Sequence, residues 1–348
     1  MQVLEEVPLA PYTTFQIGGP ARWFAEAASE DDIAAGITFA GERGLPLFVL
    51  GGGSNLLVSD AGFAGLVLRI ALRGMTATPE NGRTIVSAAA GEDWDGLVAY
   101  AVGKACAGVE CLSGIPGTVG GTPVQNVGAY GQEVSQTIVT VRAFDRQTAQ
   151  FVDLPASACG FSYRRSIFNS TERDRYIVSR VDYALRVDAP ACFAYADLSR
   201  YFAARGMLSP TLTEVREAVR TIRAQKGMLL VAGDSDCRSA GSFFKNPIVP
   251  VSMVDSLAVE LGVEKQTIPA YPARPGEVKL SAAWLIERAG FAKGYALGNA
   301  GISSRHTLAL INRGGASARE VVALRDKVID AIWSRFAIRL EPEPVWLG

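Results

Sequence analysis

Three short stretches carry the side chains best suited to chemistry. Tyr163-Arg164-Arg165-Ser166 sets two guanidinium groups beside an aromatic ring. Read as an extended segment, it points neighbouring side chains to opposite faces, so only one arginine can face a given pocket. There it could clamp a carboxylate through two parallel hydrogen bonds. Two surface arginines on a strand are the commoner outcome of the same spacing. Ser242 stands between Gly241 and Phe243-Phe244. A hydroxyl in apolar surroundings can deliver a proton, and a serine at such a place is also an ordinary turn residue. Glu343 lies between Pro342 and Pro344, whose rings fix the backbone and so aim the carboxylate. It reads either as a catalytic group or as the partner of an arginine.

Two glycine-rich stretches could hold what these groups act on. Cys111 to Glu133 contains Gly114, Gly117, Gly120, Gly121, Gly128 and Gly131, and no charge before Glu133. Glycine costs too much entropy for this to be a good helix or an ordinary strand. It suits a chain that turns repeatedly and lays backbone amides against something flat or anionic. A long ordered loop without a ligand is the rarer alternative. Gly51-Gly52-Gly53-Ser54-Asn55 joins an apolar run, Leu47 to Leu50, to Leu56-Leu57-Val58. It is not a dinucleotide fingerprint, because Leu56 fills the third glycine position and a strand, not a helix, follows. A pyrophosphate here would be held by loop amides and by Ser54 or Asn55, with no helix N-terminus behind them. A tight hairpin is the competing reading, although three glycines exceed its need.

The elements that must position these groups alternate in type. Ser29 caps a helix with an acidic first turn, Ile33, Ile37 and Ala40 on one face and Gly44 at its end. Thr14 to Ala27 is an extended segment around Gly18-Gly19-Pro20. Gly65 to Ile70 and Thr84 to Ala89 read as strands, and Asp93 starts a helix with Trp94, Leu97, Val98, Ala101 and Val102 inward. Ile138 to Phe144 and Gln150 to Leu154 form a hairpin, and a strand runs from Tyr176 to Leu185. Pro190 to Tyr201 reads as a break. Glu214 to Gln225, Ser252 to Leu261 and Ser281 to Ala289 are helices, the last two stopped by Gly262 and Gly290. Ser317 to Glu320 is a capping box opening a long helix. A strand from Ala337 to Leu340 is expected to end the chain before Glu341-Pro342-Glu343-Pro344.

The bulk properties exclude several function classes. The chain has 348 residues, 49% hydrophobic and 20% charged, enough for two or three cores. With a net charge of -1 and a pI near 6.0, neither nucleic acid nor an anionic membrane is an expected partner. No apolar run approaches the ~18 residues of a membrane span, and the N-terminus lacks a signal-peptide pattern. Five cysteines without a CxxC, and one histidine, His306, argue against a zinc site and for a reduced, cytoplasmic protein with no metal.

Taken in order, five stretches carry a resemblance. GGGSNLLVSD (51–60), SGIPGTVGGTPVQNVGAYG (113–131), YRRSIFN (163–169), GSFFKNP (241–247) and LEPEP (340–344) make the chain similar to the UDP-N-acetylenolpyruvoylglucosamine reductase family. The resemblance implies an α+β fold: a two-domain FAD-binding module of the vanillyl-alcohol-oxidase/PCMH type and a C-terminal α+β substrate-binding domain. The implied edges are 1–69 (joined by the tail 344–348), 70–228 and 229–343. It implies NADPH and FAD as cofactors, a nucleotide-sugar substrate and a reaction of cell-wall precursor synthesis, with a monomer expected.

Carried over by motif, Arg164 binds the carboxylate and stabilises an enolate, Glu343 helps polarise that group, and Ser242 delivers the proton. FAD falls to Gly51, Gly52, Gly53, Ser54 and Asn55, and to Ser113, Gly114, Ile115, Pro116, Gly117, Gly120, Gly121, Gln125, Asn126 and Tyr130. The stretch 193–198 resembles the substrate-loop segment of the family's longer subtype, giving Tyr195 and Lys226 to the substrate diphosphate. Tyr163, Lys245, Asn246 and His306 are further substrate-binding candidates, with a satisfied surface histidine an equal reading for His306. An oxygen-using oxidase on the same flavin scaffold and a non-catalytic flavin or nucleotide-sugar binder are the competing functions.

Overall fold

Phe63–Ile70, with Leu66, Val67 and Leu68 fully buried, is the near-continuous apolar run that a strand covered on both faces requires. It pairs in parallel with Pro20–Ala27 on one side and Leu47–Leu50 on the other. Val3–Pro8 completes a four-stranded sheet at the outer edge of Pro20–Ala27. Helix α1, Glu30–Glu42, is capped by Ser29, whose side chain accepts the Asp32 amide at 3.1 Å, and opens with an acidic first turn. This computed structural model describes all residues but Ala194. That residue, inside the 193–198 stretch, lies outside the described residues.

The chain divides into two units. The first comprises residues 1–7, 20–53 and 63–225. Besides the parallel sheet it holds an antiparallel one, ordered Gln150–Pro155, Ile138–Asp145, Tyr176–Val187, Arg83–Ala89 and Met75–Glu80, with Cys106–Ala107 also paired to Tyr176–Val187. Helix α2, Trp94–Gly103, buries Trp94, Leu97, Val98, Ala101 and Val102 in this unit's core, and the Asp93 side chain accepts the Gly96 amide at 2.6 Å. Helices α3 (Ala196–Ala203) and α4 (Leu212–Gln225) pack through Leu198, Phe202, Val215, Ala218, Val219 and Ile222. Val215, Ala218, Val219 and Ile222 recur at helical spacing along α4.

The second unit comprises residues 8–19, 54–62 and 226–348. Its core is built on α5 (Ser252–Leu261), α6 (Ala282–Arg288) and α7 (Ala318–Phe336) with two small antiparallel sheets. Gly262 ends α5 in the left-handed region, at φ 62°. The capping box of Ser317 and Glu320 opens α7, and Asp60 accepts the Ala318 and Arg319 amides at 2.7 and 3.1 Å. Asp60, the last residue of the first glycine motif, therefore works at a helix N-terminus.

Three sequence expectations are corrected, and one further strand carries no sequence signal. Ala337 to Leu340 is not a strand: Ala337 is a left-handed helix cap at φ 54°, and the terminal strand is Val345–Leu347, parallel to Leu56–Val58. Ile338 and Leu340 are apolar because they are buried, not because they pair. The 190–201 break contains α3, which starts without a side-chain cap and so shows no start signal. The Tyr163–Ser166 segment is a tight turn and not extended: Ser162 and Arg165 exchange backbone hydrogen bonds at 2.9 and 3.0 Å. Met75–Glu80, half exposed and containing Pro79, is an edge strand without a strong apolar pattern.

Candidate active site

In the first unit the two glycine stretches approach backbone to backbone. A Cβ on Gly52 would lie 2.6 Å from the Gly117 Cα, and one on Gly51 would lie 2.9 Å from the Thr118 Oγ1. No side chain fits between them, which is the physical reason for glycine there. Among the described residues no group accepts a hydrogen bond from the Gly52 or Gly53 amide. Thr118 Oγ1 is the one buried side-chain polar atom without a partner among them. Unpaired amides on a glycine turn beside an unpartnered hydroxyl form a cradle for an anion.

The long loop is held in place by its neighbours. The Gly114 amide donates to Asp95 Oδ1 at 2.6 Å, and its carbonyl accepts from Arg223 Nε at 3.0 Å. Asp95 in turn pairs with Arg216 at 2.5 Å and with Arg220. Burial pushes the Asp95 carboxyl up, but Arg216, the Gly114 amide and Arg220 together hold it below its usual range. Gly117, Val119 and Gly120 bond to the backbone of Trp94, Glu92 and Ala90 at 2.9 to 3.1 Å. The loop is thus a braced surface and not a free one.

Several candidates on this loop spend their side chains inward. Ser113, fully buried, donates to the Glu110 carbonyl at 2.7 Å. Asn126 donates to Glu133 at 2.8 Å and to the Ser162 carbonyl at 3.1 Å, and accepts from the Ser135 amide at 3.1 Å. Its side chain therefore ties the loop to the arginine turn. Ile115, Pro116 and Gln125 are half-buried, and Gly121 lies exposed at the end of a short 3-10 turn.

Arg164 occupies the left-handed region at φ 55°, a strained backbone for an arginine. Asn169 braces it by donating to the Arg164 carbonyl at 3.1 Å. Its Nη2 donates to the Gly128 carbonyl at 2.8 Å, and the guanidinium sits 5.2 Å from the Tyr163 ring centroid. Arg165 is exposed and Arg164 half-buried, so one arginine of the two faces inward, as a turn and not as a strand. Tyr130 and Tyr195, far apart in sequence, meet edge to face at 5.4 Å. Arg223, which interacts with the Tyr130 hydroxyl, is 6% exposed. Burial lowers its pKa, while the Tyr130 hydroxyl and Asp95 oppose that shift. Asp95, Thr118 and Arg223 escape a reading of the sequence because none stands in a recognisable pattern.

The second unit brings Ser242 and Glu343 to one backbone junction. The Glu343 amide donates to the carbonyl of Phe243 at 2.9 Å, and Lys245 N–H to that of Glu341 at 3.0 Å. Phe244 and Pro342 form a bridge between the two segments. Phe243 itself donates to the Leu308 carbonyl at 2.7 Å, which fixes the serine turn from its other side. Ser242 is half-buried, and among the described residues its hydroxyl makes no hydrogen bond. Asn55 lies in this unit and donates from Nδ2 to the Glu343 carbonyl at 3.2 Å. Ser54 belongs to the same unit.

Two further candidates are already engaged. Lys245 pairs with Glu341 at 2.6 Å near the surface, and Asn246 Oδ1 accepts the Ala282 amide at 2.9 Å at the start of α6. His306 is half-buried, and its pKa is lowered to about 4 by burial and then by the charges of Lys226 and Lys293. The structure thus associates Lys226 and His306, which the sequence separates.

Comparison with known proteins adds the family. Residues 21–154 match an FAD binding domain, and residues 233–347 match the C-terminal domain of UDP-N-acetylenolpyruvoylglucosamine reductase. The reductase of that name from Thermobifida fusca is 47% identical over 98% of this chain and 97% of its own. That from Streptomyces coelicolor is 45% identical over 100% of this chain and 91% of its own. The crystal structure of the enzyme from Thermus caldophilus superposes with a TM-score of 0.66, at 26% identity, over the whole of both chains. An FAD-binding α+β module is therefore followed by the reductase's own C-terminal domain. This chain belongs to the UDP-N-acetylenolpyruvoylglucosamine reductase family.

Proposed function

We infer that the chain uses NADPH to reduce the enolpyruvyl ether of UDP-N-acetylglucosamine to the lactyl ether, a step of peptidoglycan precursor synthesis. The chemistry that FAD supplies when bound is hydride relay, from NADPH to the methylene carbon of the enolpyruvyl group. The residues present fit that cofactor: the Gly52 and Gly53 amides and the Gly114–Gly121 loop offer a flat anion-binding cradle, and Thr118 leaves a buried hydroxyl unmatched. Gly51, Gly117, Gly120 and Ser54 are assigned to the pyrophosphate, and Tyr130 to the lining of the site.

Reduction at the methylene carbon leaves negative charge on the α-carbon and carboxylate. Arg164 is assigned to that carboxylate, where a planar fork matches two oxygens at once. Its own geometry is set in advance by Gly128, Asn169 and the turn. Ser242 is assigned to protonate the α-carbon from one side, its oxygen regaining a proton from solvent. A serine is a weak acid, so this step requires positioning and a strongly basic acceptor. Glu343 is assigned to polarise the same carboxylate group. Tyr163, Tyr195, Lys226 and His306 are assigned to the substrate, Tyr195 and Lys226 to its diphosphate.

One observation carries this reading. The Glu343 amide is hydrogen-bonded to the residue next to Ser242, so a hydroxyl and a carboxylate from opposite ends of the second unit's sequence are launched from one rigid junction. The three-domain division (1–69 with 344–348, 70–228, 229–343) and a monomeric state belong to the same proposal, for limited proteolysis and sedimentation to test. No described helix is long and apolar enough to cross a membrane.

The decisive experiment is anaerobic. The flavin-loaded protein is bleached with NADPH, then mixed with the enolpyruvyl sugar nucleotide. The yellow band should return without oxygen. A band that returns only when air is admitted would make the chain an oxidase and overturn the reading.

A further inference from the structure

We propose that Asn55 is a positioning residue for Glu343 and that its side-chain amide does not serve the cofactor. This rests on the reductase reading given above and deepens it. Asn55 ends the glycine stretch GGGSN, where an amide side chain is easily taken for a phosphate ligand. The structure gives that amide another task. Its Nδ2 donates to the Glu343 carbonyl at 3.2 Å, and its own backbone carbonyl accepts the Val345 amide at 3.0 Å. Asn55 therefore brackets the Glu343–Val345 segment with two hydrogen bonds. The parallel pairing of Leu56–Val58 with Val345–Leu347 starts one residue later, so the bracket is continuous with a ladder.

The other side of Glu343 is held independently, because its amide donates to Phe243 at 2.9 Å. Both polar groups of the Glu343 backbone are thus engaged, one by the serine turn and one by Asn55. Pro342 and Pro344 restrict the torsions between them. The carboxylate leaves a Cα that has little freedom to rotate or shift. Proximity effects make this consequential, since a misplacement of about 1 Å at a reacting group costs on the order of a hundredfold in rate. Without the Asn55 donor the Glu343 carbonyl loses that hydrogen bond, and one of the restraints on the Glu343 peptide plane goes with it.

The test separates the two half-reactions and uses the whole flavin-loaded chain. Asn55→Asp keeps size and removes the donor, and Asn55→Ala removes the group. Both should retain FAD affinity within about threefold and bleach with NADPH at the wild-type rate. Anaerobic return of the flavin band with the enolpyruvyl sugar nucleotide should slow by about 10- to 100-fold. In Asn55→Asp this loss should shrink as pH falls, since a protonated carboxyl can again donate to the Glu343 carbonyl. Asn55→Ala should show no such recovery. In a Glu343→Gln background the Asn55→Asp change should add little, because both act through one group.

A tenfold or greater fall in FAD affinity with an intact substrate half-reaction would make Asn55 a cofactor ligand and overturn the proposal. Two variants that leave both half-reactions unchanged, or that fail to fold, would overturn it as well. If the wild-type protein itself shows no return of the band with substrate, the reductase reading falls, and that result cannot be confused with a neutral Asn55 variant.

Discussion

Gly52→Ala is the sharpest probe of the cradle. Gly52 does not sit in the left-handed region, so alanine can adopt its backbone and any effect is steric. The added Cβ would meet the Gly117 Cα at 2.6 Å, its carbonyl carbon at 2.9 Å and the Thr118 nitrogen at 3.1 Å. Carbon atoms pack at about 3.5–4.0 Å, so the two glycine loops must separate by roughly 1 Å. All three neighbours are backbone atoms, and backbone bonds to Trp94, Glu92 and Ala90 resist the movement. Overpacking of this kind costs about 1–3 kcal/mol. It also draws the Gly52 and Gly53 amides away from a phosphate, and each charged hydrogen bond lost costs about 1.5–3 kcal/mol. Loss of one such bond is a ten- to hundredfold fall in affinity. The assay is titration of the apoprotein with FAD by fluorescence quenching, with riboflavin as a ligand without phosphate. FAD affinity should fall at least tenfold and the difference between FAD and riboflavin should shrink. Gly41→Ala, with nothing within 4 Å, makes the same chemical change on α1 and should bind FAD as wild type does. Wild-type FAD affinity and melting temperature in Gly52→Ala would refute the close-approach argument.

Ser242→Ala should leave NADPH-driven bleaching nearly unchanged and slow the substrate half-reaction by about 10²- to 10⁴-fold; equal loss in both would remove Ser242 from proton delivery. Arg164→Lys should lose at least tenfold in kcat/KM, because an ammonium can neither fork nor keep the Gly128 contact, and near-normal turnover would count against the carboxylate clamp. His306, with its pKa lowered to about 4, is held neutral by the fold, while the unfolded chain takes up a proton near pH 6.5. Its contribution to stability is therefore complete above that pH and is lost as pH falls from 6.5 towards 4, by about 2 kcal/mol after allowance for partial exposure. Across that window the urea midpoint of wild type should fall relative to that of His306→Gln, and parallel curves would show the histidine to be unperturbed.

Much of the fold was legible because its signals are local. Ser29, Asp93 and Ser317 cap their helices through neighbours three residues on, and Gly262 stops α5 by its own torsion. The apolar faces of α2 and α4 follow from the helical period alone. The errors share a cause. Ile338 and Leu340 look like strand residues, yet burial in the second unit's core explains them without pairing. Arg164 looks extended because nothing in Tyr-Arg-Arg-Ser marks the positive φ that Asn169 and Gly128 sustain.

The candidate site divides along the same line. Residue type and order were enough to mark the glycine stretches, the arginine pair, the serine beside the phenylalanines and the glutamate between prolines, because each carries its chemistry in its own side chain or backbone. What those groups are fastened to was beyond reach of the linear chain. Asp95 and Arg223 grip Gly114 from two helices, Asp60 caps α7, and Asn55 reaches the Glu343 carbonyl. Each of these bonds joins residues far apart in sequence, and a hydrogen bond between distant segments leaves no periodicity or local motif behind. It exists only after burial of the two cores has brought its donor and acceptor within about 3 Å.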